Sequence, residues 1–249
     1  METEKERQGL KRTPVDLQTM REVKVIFFDA TGTLIHLPRG VGFHYADVAA
    51  RFGWNADAGS VGNAFRRLWS ELPPPETTRE PKADDDRGWW RELVSRVLDR
   101  SGAPDDFDRE RYFDAIYGEF TQLGVWELYP ETLEVLDALA GRFRLCVLSN
   151  FDGRLRTVLS QLGVLARFDE VIISSEAGAD KPDPWIFEHA AARAGCAPHE
   201  ALLVGDDPEC DVAGAQRAGW HAFHVERPRT TLRALLPHFL EPLIDTDKH

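Results

Sequence analysis

Apolar residues recur along this chain in two rhythms. The first is short and unbroken: residues 24–28, 143–148 ("FRLCVL"), 170–174 ("EVIIS"), 201–205 ("ALLVG") and 221–225 ("HAFHV"). Val25, Ile26, Phe27 and Phe28 are β-branched or aromatic with no polar alternation, which predicts a strand buried on both faces of a sheet. From the second run onward, helix-like segments separate the strands. "DPWIFEHAAARAG" has Asp183 as N-cap, Pro184 at the first helical position and Gly195 as the stop. Strands alternating with such segments predict an α/β fold with a doubly wound parallel sheet.

The second rhythm fills the long gap between the first two strands. Val61, Phe65, Leu68, Trp69 and Leu72 share one helical face, as do Trp90, Leu93, Val94, Val97 and Leu98, and again Phe113, Ile116, Tyr117 and Phe120. With "GFHYADVAARFG" ahead of them they predict a helical bundle. "PPPETTREPKADDD", residues 73–86, interrupts it with prolines and charges and is expected to be a mobile loop. No internal repeat is visible. The expected organisation is a polar tail over 1–21, an α/β core over 22–40 and 129–249, and an all-helical cap over 41–128.

Composition narrows the classes. With 30 basic against 42 acidic residues, a net charge of −12, the chain is not built to grip nucleic-acid phosphates. Cys146, Cys196 and Cys210 are odd in number and lack the spacing of a zinc site or a disulfide framework. They read as thiols in a reducing compartment, so a cytoplasmic location is expected. No stretch has the length of a membrane span, and the N-terminal residues lack the apolar centre of a signal peptide. Oligomeric state is not legible.

In open parallel sheets, function sits beyond the carboxyl ends of the strands. The first strand ends on Asp29, the second on Ser149 and Asn150, and the fourth on Asp206 and Asp207, while Lys181 follows the third. A carboxylate nucleophile, a hydroxyl, an ammonium and a carboxylate pair therefore converge on one crevice.

The segments "FFDATGT", "VLSN", Lys181-Pro182-Asp183-Pro184 and "VGDDPECDVAGAQRAG" stand in the order of four motifs of the haloacid dehalogenase superfamily, which this chain resembles. The long insertion resembles that family's α-helical cap, and "WWRELV" is similar to the cap of a phosphatase-like branch. The resemblance implies a Rossmann-like core and hydrolysis of a small phosphorylated molecule, with Asp29 as the nucleophile that carries the phosphoryl group. It further implies Mg²⁺ held by Asp29, the main-chain carbonyl of Thr31 and Asp206, with Lys181 as a second cation. Gly32, Ser149, Asn150 and Lys181 would hold the phosphoryl oxygens. Thr33 would bond the Asp29 carboxylate, and Asp207 and Asp211 would contact metal-bound water or Lys181. For Asp211 a helix-start role is the alternative. In the cap, Arg66, Arg67, His44, Trp89 and Trp90 are candidates to face the substrate. Phosphatases of this family usually carry Asp two residues after the nucleophile, where this chain has Thr31, so turnover of unactivated esters is expected to be slow.

Other readings differ in what they require. A receiver-type phosphoacceptor domain places its acid pair early in the chain, whereas Asp206 and Asp207 come late. A carbon–halogen hydrolase has no use for that late pair, and a phosphonate-cleaving relative needs a cap lysine, of which Lys82 is the only one. The remaining alternative is a catalytically weak phosphate-binding protein on the same fold.

Overall fold

The computed structural model describes residues 19–240. Most of the expected tail therefore lies outside the described residues, which open on a 3₁₀ turn, Thr19–Glu22. The chain then forms β1 (Val25–Phe28), β2 (Ile35–His36), and the helices α1 (Gly40–Arg51), α2 (Ala58–Glu71), α3 (Arg87–Arg100) and α4 (Arg109–Glu119). After β3 (Glu127–Leu128) come α5 (Thr132–Leu139), β4 (Arg144–Ser149), α6 (Arg154–Gln161), β5 (Glu170–Ile173), α7 (Ser174–Ala177) and α8 (Pro184–Ala194). The described chain ends with β6 (Ala201–Gly205), a π-helical turn (Pro208–Ala213) continuing into α9 (Gly214–Arg217), β7 (His221–His224) and α10 (Pro237–Leu240).

The predicted strands form within one residue of their expected limits and make a five-stranded parallel sheet in the order β5-β4-β1-β6-β7. Its central strand shows why the apolar run does not alternate. Ile26 and Phe28 point into a cluster with Val135, Leu136 and Leu139 of α5 and Leu155, Val158 and Leu159 of α6. Val25 and Phe27 enter the opposite cluster with Ile186, Phe187 and Ala190 of α8 and with Trp220. Both faces are dry, so both parities must be apolar. The α8 punctuation reads as expected: Asp183 accepts from the Trp185 N–H and Gly195 closes the helix at φ +63°.

Helices α1–α4 bury a hydrophobic cluster of their own, including Tyr45, Val61, Leu68, Leu93, Val97, Phe113 and Ile116. The chain passes between sheet and helices through an antiparallel ribbon, Ile35 opposite Leu128 and His36 opposite Glu127, whose two-residue strands are too short to leave a sequence pattern. Among the described residues, no helix is long and apolar enough to cross a membrane.

Residues 77–86 depart from expectation. Instead of a free loop they form a strap pinned to the sheet domain. The N–H groups of Thr78 and Arg79 both donate to the Gly178 carbonyl (2.7 and 2.9 Å), and that of Lys82 donates to the Ser175 carbonyl (2.9 Å). Both Asp85 carboxylate oxygens accept from the Gly153 N–H at the start of α6 (3.0 and 2.9 Å), and the Ser175 hydroxyl donates to Asp85 as well (2.5 Å). Lys82 and Asp86 form a buried ion pair at 2.8 Å. Pro-rich, charged composition signals a lack of regular secondary structure, and here the backbone groups find partners across the interface instead.

Asp85 adds a carboxylate to a helix N-terminus, a contact worth about 0.5–2 kcal/mol. Asp85→Ala is therefore expected to accelerate amide exchange at Thr78, Arg79 and Lys82 while β1 and β4 stay protected. Unchanged exchange at those three amides would show that the backbone bonds alone hold the strap.

Candidate active site

Register assembles the site. Phe28 pairs with Val147 of β4 on one side and Val204 of β6 on the other, so Asp29, Ser149 and Asp206 emerge together at the carboxyl edge. The Asp29 N–H still donates to Val204 (2.9 Å), which fixes its backbone as the last rung of the sheet. The order of connections reverses between β1 and β6, the position at the carboxyl edge where open parallel sheets bind their ligands.

Lys181 is the hub. It is 3% exposed, and its ammonium donates to Asp29 Oδ1 (2.7 Å), Asp211 Oδ1 (2.6 Å) and the Leu148 carbonyl (2.9 Å), which uses all three protons. Burial would lower its pKa, but Asp29 and Asp211 together hold it above its ordinary value. Asn150 aims the lysine by clasping its backbone: the Asn150 amide donates to the Lys181 carbonyl (2.8 Å) and the Lys181 N–H donates to Asn150 Oδ1 (2.7 Å). The Ser149 hydroxyl donates to Asp29 Oδ1 (3.0 Å), so that oxygen is doubly held. Among the described residues, no hydrogen bond reaches Asp29 Oδ2. Burial pushes the Asp29 carboxyl up to about 7 against the pull of Lys181, with Asp211 and Asp206 adding to the rise. Burial raises Asp206 as well.

The donor set suits a hard cation. Asp29, Asp206 and Asp211 bring one oxygen each within 4.8 Å of one another. In the turn after Asp29, the Ala30 carbonyl accepts from three N–H groups and the Ile35 carbonyl from Gly32. The Leu34 carbonyl accepts from Tyr129 and Thr132, and those of Gly32 and Thr33 accept from Arg227. Among the described residues, only the Thr31 carbonyl in this turn has no donor. Gly32, at φ +86°, passes so close to Asp206 that a Cβ there would overlap the carboxylate. Asp211 is the poorest candidate ligand of the three acids, since Lys181 and the Asp207 N–H (3.0 Å) occupy its two oxygens.

Several expected roles change. Thr33 donates to Asp206 Oδ1 (3.4 Å) and not to Asp29, because the turn carries it towards β6. The Asn150 side chain is committed to Lys181, which leaves only its main chain for a phosphoryl oxygen. Asp207 is exposed, and its carboxylate bonds neither Lys181 nor the acid cluster; it caps the π-helical turn, accepting from the Glu209 and Cys210 N–H groups (2.8 and 2.7 Å). Asp211 holds Lys181 and does not start a helix. Thr31 is exposed, with no hydrogen bond to its hydroxyl among the described residues.

The cap candidates are occupied within the cap or at its edge. Arg66 and Arg67 pair with Asn63 and Glu71, His44 is buried against Glu119 (3.4 Å), and the Trp89 indole donates to Pro73. Trp90 lies 5.2 Å from the Arg154 guanidinium. Sequence reading passed over Arg227 and His224, whose Nε2 pairs with the Asp206 carbonyl (3.1 Å). Their position at the end of β7, on the same sheet edge, was the available signal.

Comparison with known proteins places this arrangement in a family. A family model described as haloacid dehalogenase-like hydrolase matches residues 23–219. The mouse haloacid dehalogenase-like hydrolase domain-containing protein 3 is 33% identical over 210 residues, 82% of this chain and 82% of that one. Among solved structures, a HAD phosphatase from Thermococcus onnurineus superposes with a TM-score of 0.57 at 24% identity, covering 86% of this chain and 96% of its own. The L-2-haloacid dehalogenase of Xanthobacter autotrophicus superposes at 0.60 and 21% identity, covering 89% and 85%. Those two structures share the fold and differ in the chemistry their names state. The chain, with an aspartate ending its central strand and a buried lysine against it, belongs to the haloacid dehalogenase-like hydrolases.

Proposed function

We propose that this protein is a Mg²⁺-dependent hydrolase of phosphoric esters of a small molecule, working through a phosphorylated Asp29. One observation carries the reading: three carboxylates crowd the strand ends, and a single ammonium is hydrogen-bonded among them. Such a cluster is short of positive charge, and its donors are all oxygen, the preference of a hard divalent cation. Asp29, Asp206 and the Thr31 carbonyl would hold Mg²⁺, which when bound supplies positive charge to a phosphoryl oxygen. Displacement of halide from an uncharged carbon has no need of that cluster.

The protein's own groups then divide the work. Asp29 Oδ2 forms a bond to phosphorus as the ester oxygen departs, while Ser149 and Lys181 keep Oδ1 in place. Lys181 lends its charge to the non-bridging oxygens and the Asn150 main chain donates to one of them, the electrostatic task that dominates phosphoryl transfer; the Gly32 N–H, expected to share it, is committed to the Ile35 carbonyl (2.9 Å). Water next attacks the same phosphorus, inorganic phosphate leaves and the Asp29 carboxylate returns. Asp211 acts by holding Lys181. Helices α1–α4, from Gly40 to Glu119, serve as the cap expected over residues 41–128 and limit what reaches Asp29.

The departing alkoxide needs a proton, and Thr31 is a poor source. Its hydroxyl donates a hydrogen bond but does not ionise near neutral pH, and general acid–base assistance is worth roughly 10²–10⁴-fold in rate. The reading therefore includes slow turnover of alkyl phosphates, faster turnover of esters with good leaving groups and a long-lived phosphoaspartate.

A panel of phosphorylated metabolites, assayed with and without Mg²⁺ alongside a 2-haloacid, tests the reading. Phosphate release that requires the metal supports it, and halide release without phosphate release overturns it. Asp29→Asn is expected to abolish turnover and covalent phosphorylation, because an amide is a poor nucleophile. Thr31→Asp is expected to raise turnover of alkyl phosphates by about 10²-fold, and a wild-type enzyme already turning over at hundreds per second would refute this account of Thr31. Gly32→Ala is expected to weaken Mg²⁺ binding, since the added Cβ displaces the Asp206 carboxylate; calorimetric titration of Mg²⁺ reads this directly.

A further inference from the structure

Arg227 lies outside every motif that marks the site, yet its guanidinium reaches the turn after Asp29. Its Nε donates to the Gly32 carbonyl (3.2 Å) and its Nη2 to the Thr33 carbonyl (3.0 Å). Its Nη1 pairs with Glu131 at 2.7 Å, and its carbon lies 3.4 Å from the centroid of the Tyr129 ring. The Glu131 side chain is 5% exposed; burial would raise its pKa, but Arg227 holds it below the usual carboxylate range. One planar cation thus joins three segments: the chain leaving β7, the turn after β1, and the residues where the chain returns from the cap through β3. Tyr129 extends the assembly by stacking on His36 of β2 (4.6 Å between rings).

We propose that Arg227 is a positioning residue for the metal turn: by holding the Gly32 and Thr33 carbonyls it leaves the Thr31 carbonyl as the oxygen of the turn with no donor among the described residues. The physical case is one of alternatives. Carbonyls 31, 32 and 33 are consecutive and the turn pivots on a glycine, so without a donor behind it the segment has several ways to aim its oxygens. A guanidinium offers two donors in a rigid fork matched to two adjacent carbonyls, which an ammonium cannot do. Its pairing with buried Glu131 fixes the fork, and His224 steadies the opposite side by bonding the Asp206 carbonyl. Residues standing behind metal ligands in this way typically change metal affinity or activity 10–100-fold when replaced.

This inference rests on the metal-binding part of the proposed function, and its test separates the two. Arg227→Met, Arg227→Lys, Glu131→Gln and Asp206→Ala would each be titrated with Mg²⁺ by calorimetry. Amide exchange at Gly32, Leu34 and Ile35 would be measured in the metal-free proteins. Arg227→Met is expected to weaken Mg²⁺ binding about 10–100-fold and to speed exchange in the turn while exchange in β4 and β6 is unchanged. Arg227→Lys should restore only part of the affinity, and Glu131→Gln should act in the same direction as Arg227→Met but less. If Arg227→Met does not fold, Glu131→Gln decides by the same readouts. Wild-type affinity together with wild-type turn exchange in the decisive variant would overturn the proposal. If wild-type protein fails to bind Mg²⁺, or Asp206→Ala binds it as well as wild type, the functional reading falls, and turn exchange alone still tells whether Arg227 orders the turn.

Discussion

The buried ammonium of Lys181 is the constraint around which the site is arranged. A cation that is 3% exposed is tolerable only when its protons are all bonded and its charge is matched. Asp29, just past β1, the Leu148 carbonyl in β4 and Asp211 in the π-helical turn after β6 satisfy that requirement. Removing any one would leave a buried charge short of a partner, so the lysine ties the order and register of β1, β4 and β6 to the chemistry at their ends. The supporting contacts serve the same end. Asn150 sets the lysine backbone, and the Asp207 N–H turns Asp211 towards it.

Satisfying Lys181 creates the opposite imbalance nearby. Asp206 enters the same cluster without an ammonium of its own, and the rise of both Asp29 and Asp206 above the ordinary carboxylate range expresses the combined effect of burial and mutual repulsion. A site built this way is prepared for a positively charged visitor. The glycine at position 32 permits the approach, since any side chain there would collide with Asp206. A phosphatase and a dehalogenase are both named among structures that share this architecture, so the proposed function rests on the acid cluster and not on the fold.

Two of the attachments between the helical insertion and the core differ in character. The β2–β3 ribbon carries the chain across and leads directly into Tyr129 and Glu131, the partners of Arg227. The strap over residues 77–86 instead lays Asp85 on the start of α6 and its backbone on the segment that precedes Lys181. Both attachments join the insertion to segments bearing site residues, so displacement of the helices would be felt at the turn after β1 and around Lys181.

The sequence by itself determined the sheet, its buried central strand, the long helical insertion, the strand-end positions of Asp29, Ser149 and Asp206, and the place of Lys181 after the third strand. These follow from local patterns: unbroken apolar runs, helical periodicity, and punctuation such as Asp183 and Gly195. Tertiary structure decided which of several nearby partners each polar group takes. Thr33 chooses Asp206 over Asp29, Asp207 caps a turn while Asp211 grips the lysine, and Arg227 reaches a turn 195 residues away. The charged, proline-rich strap was read as mobile because composition reports missing secondary structure and is silent about partners elsewhere. The physical reason is common to all of these. A strand or helix declares itself through neighbours a few residues apart, whereas a hydrogen bond between distant segments depends on how the packed elements aim side chains at acceptors only ångströms apart.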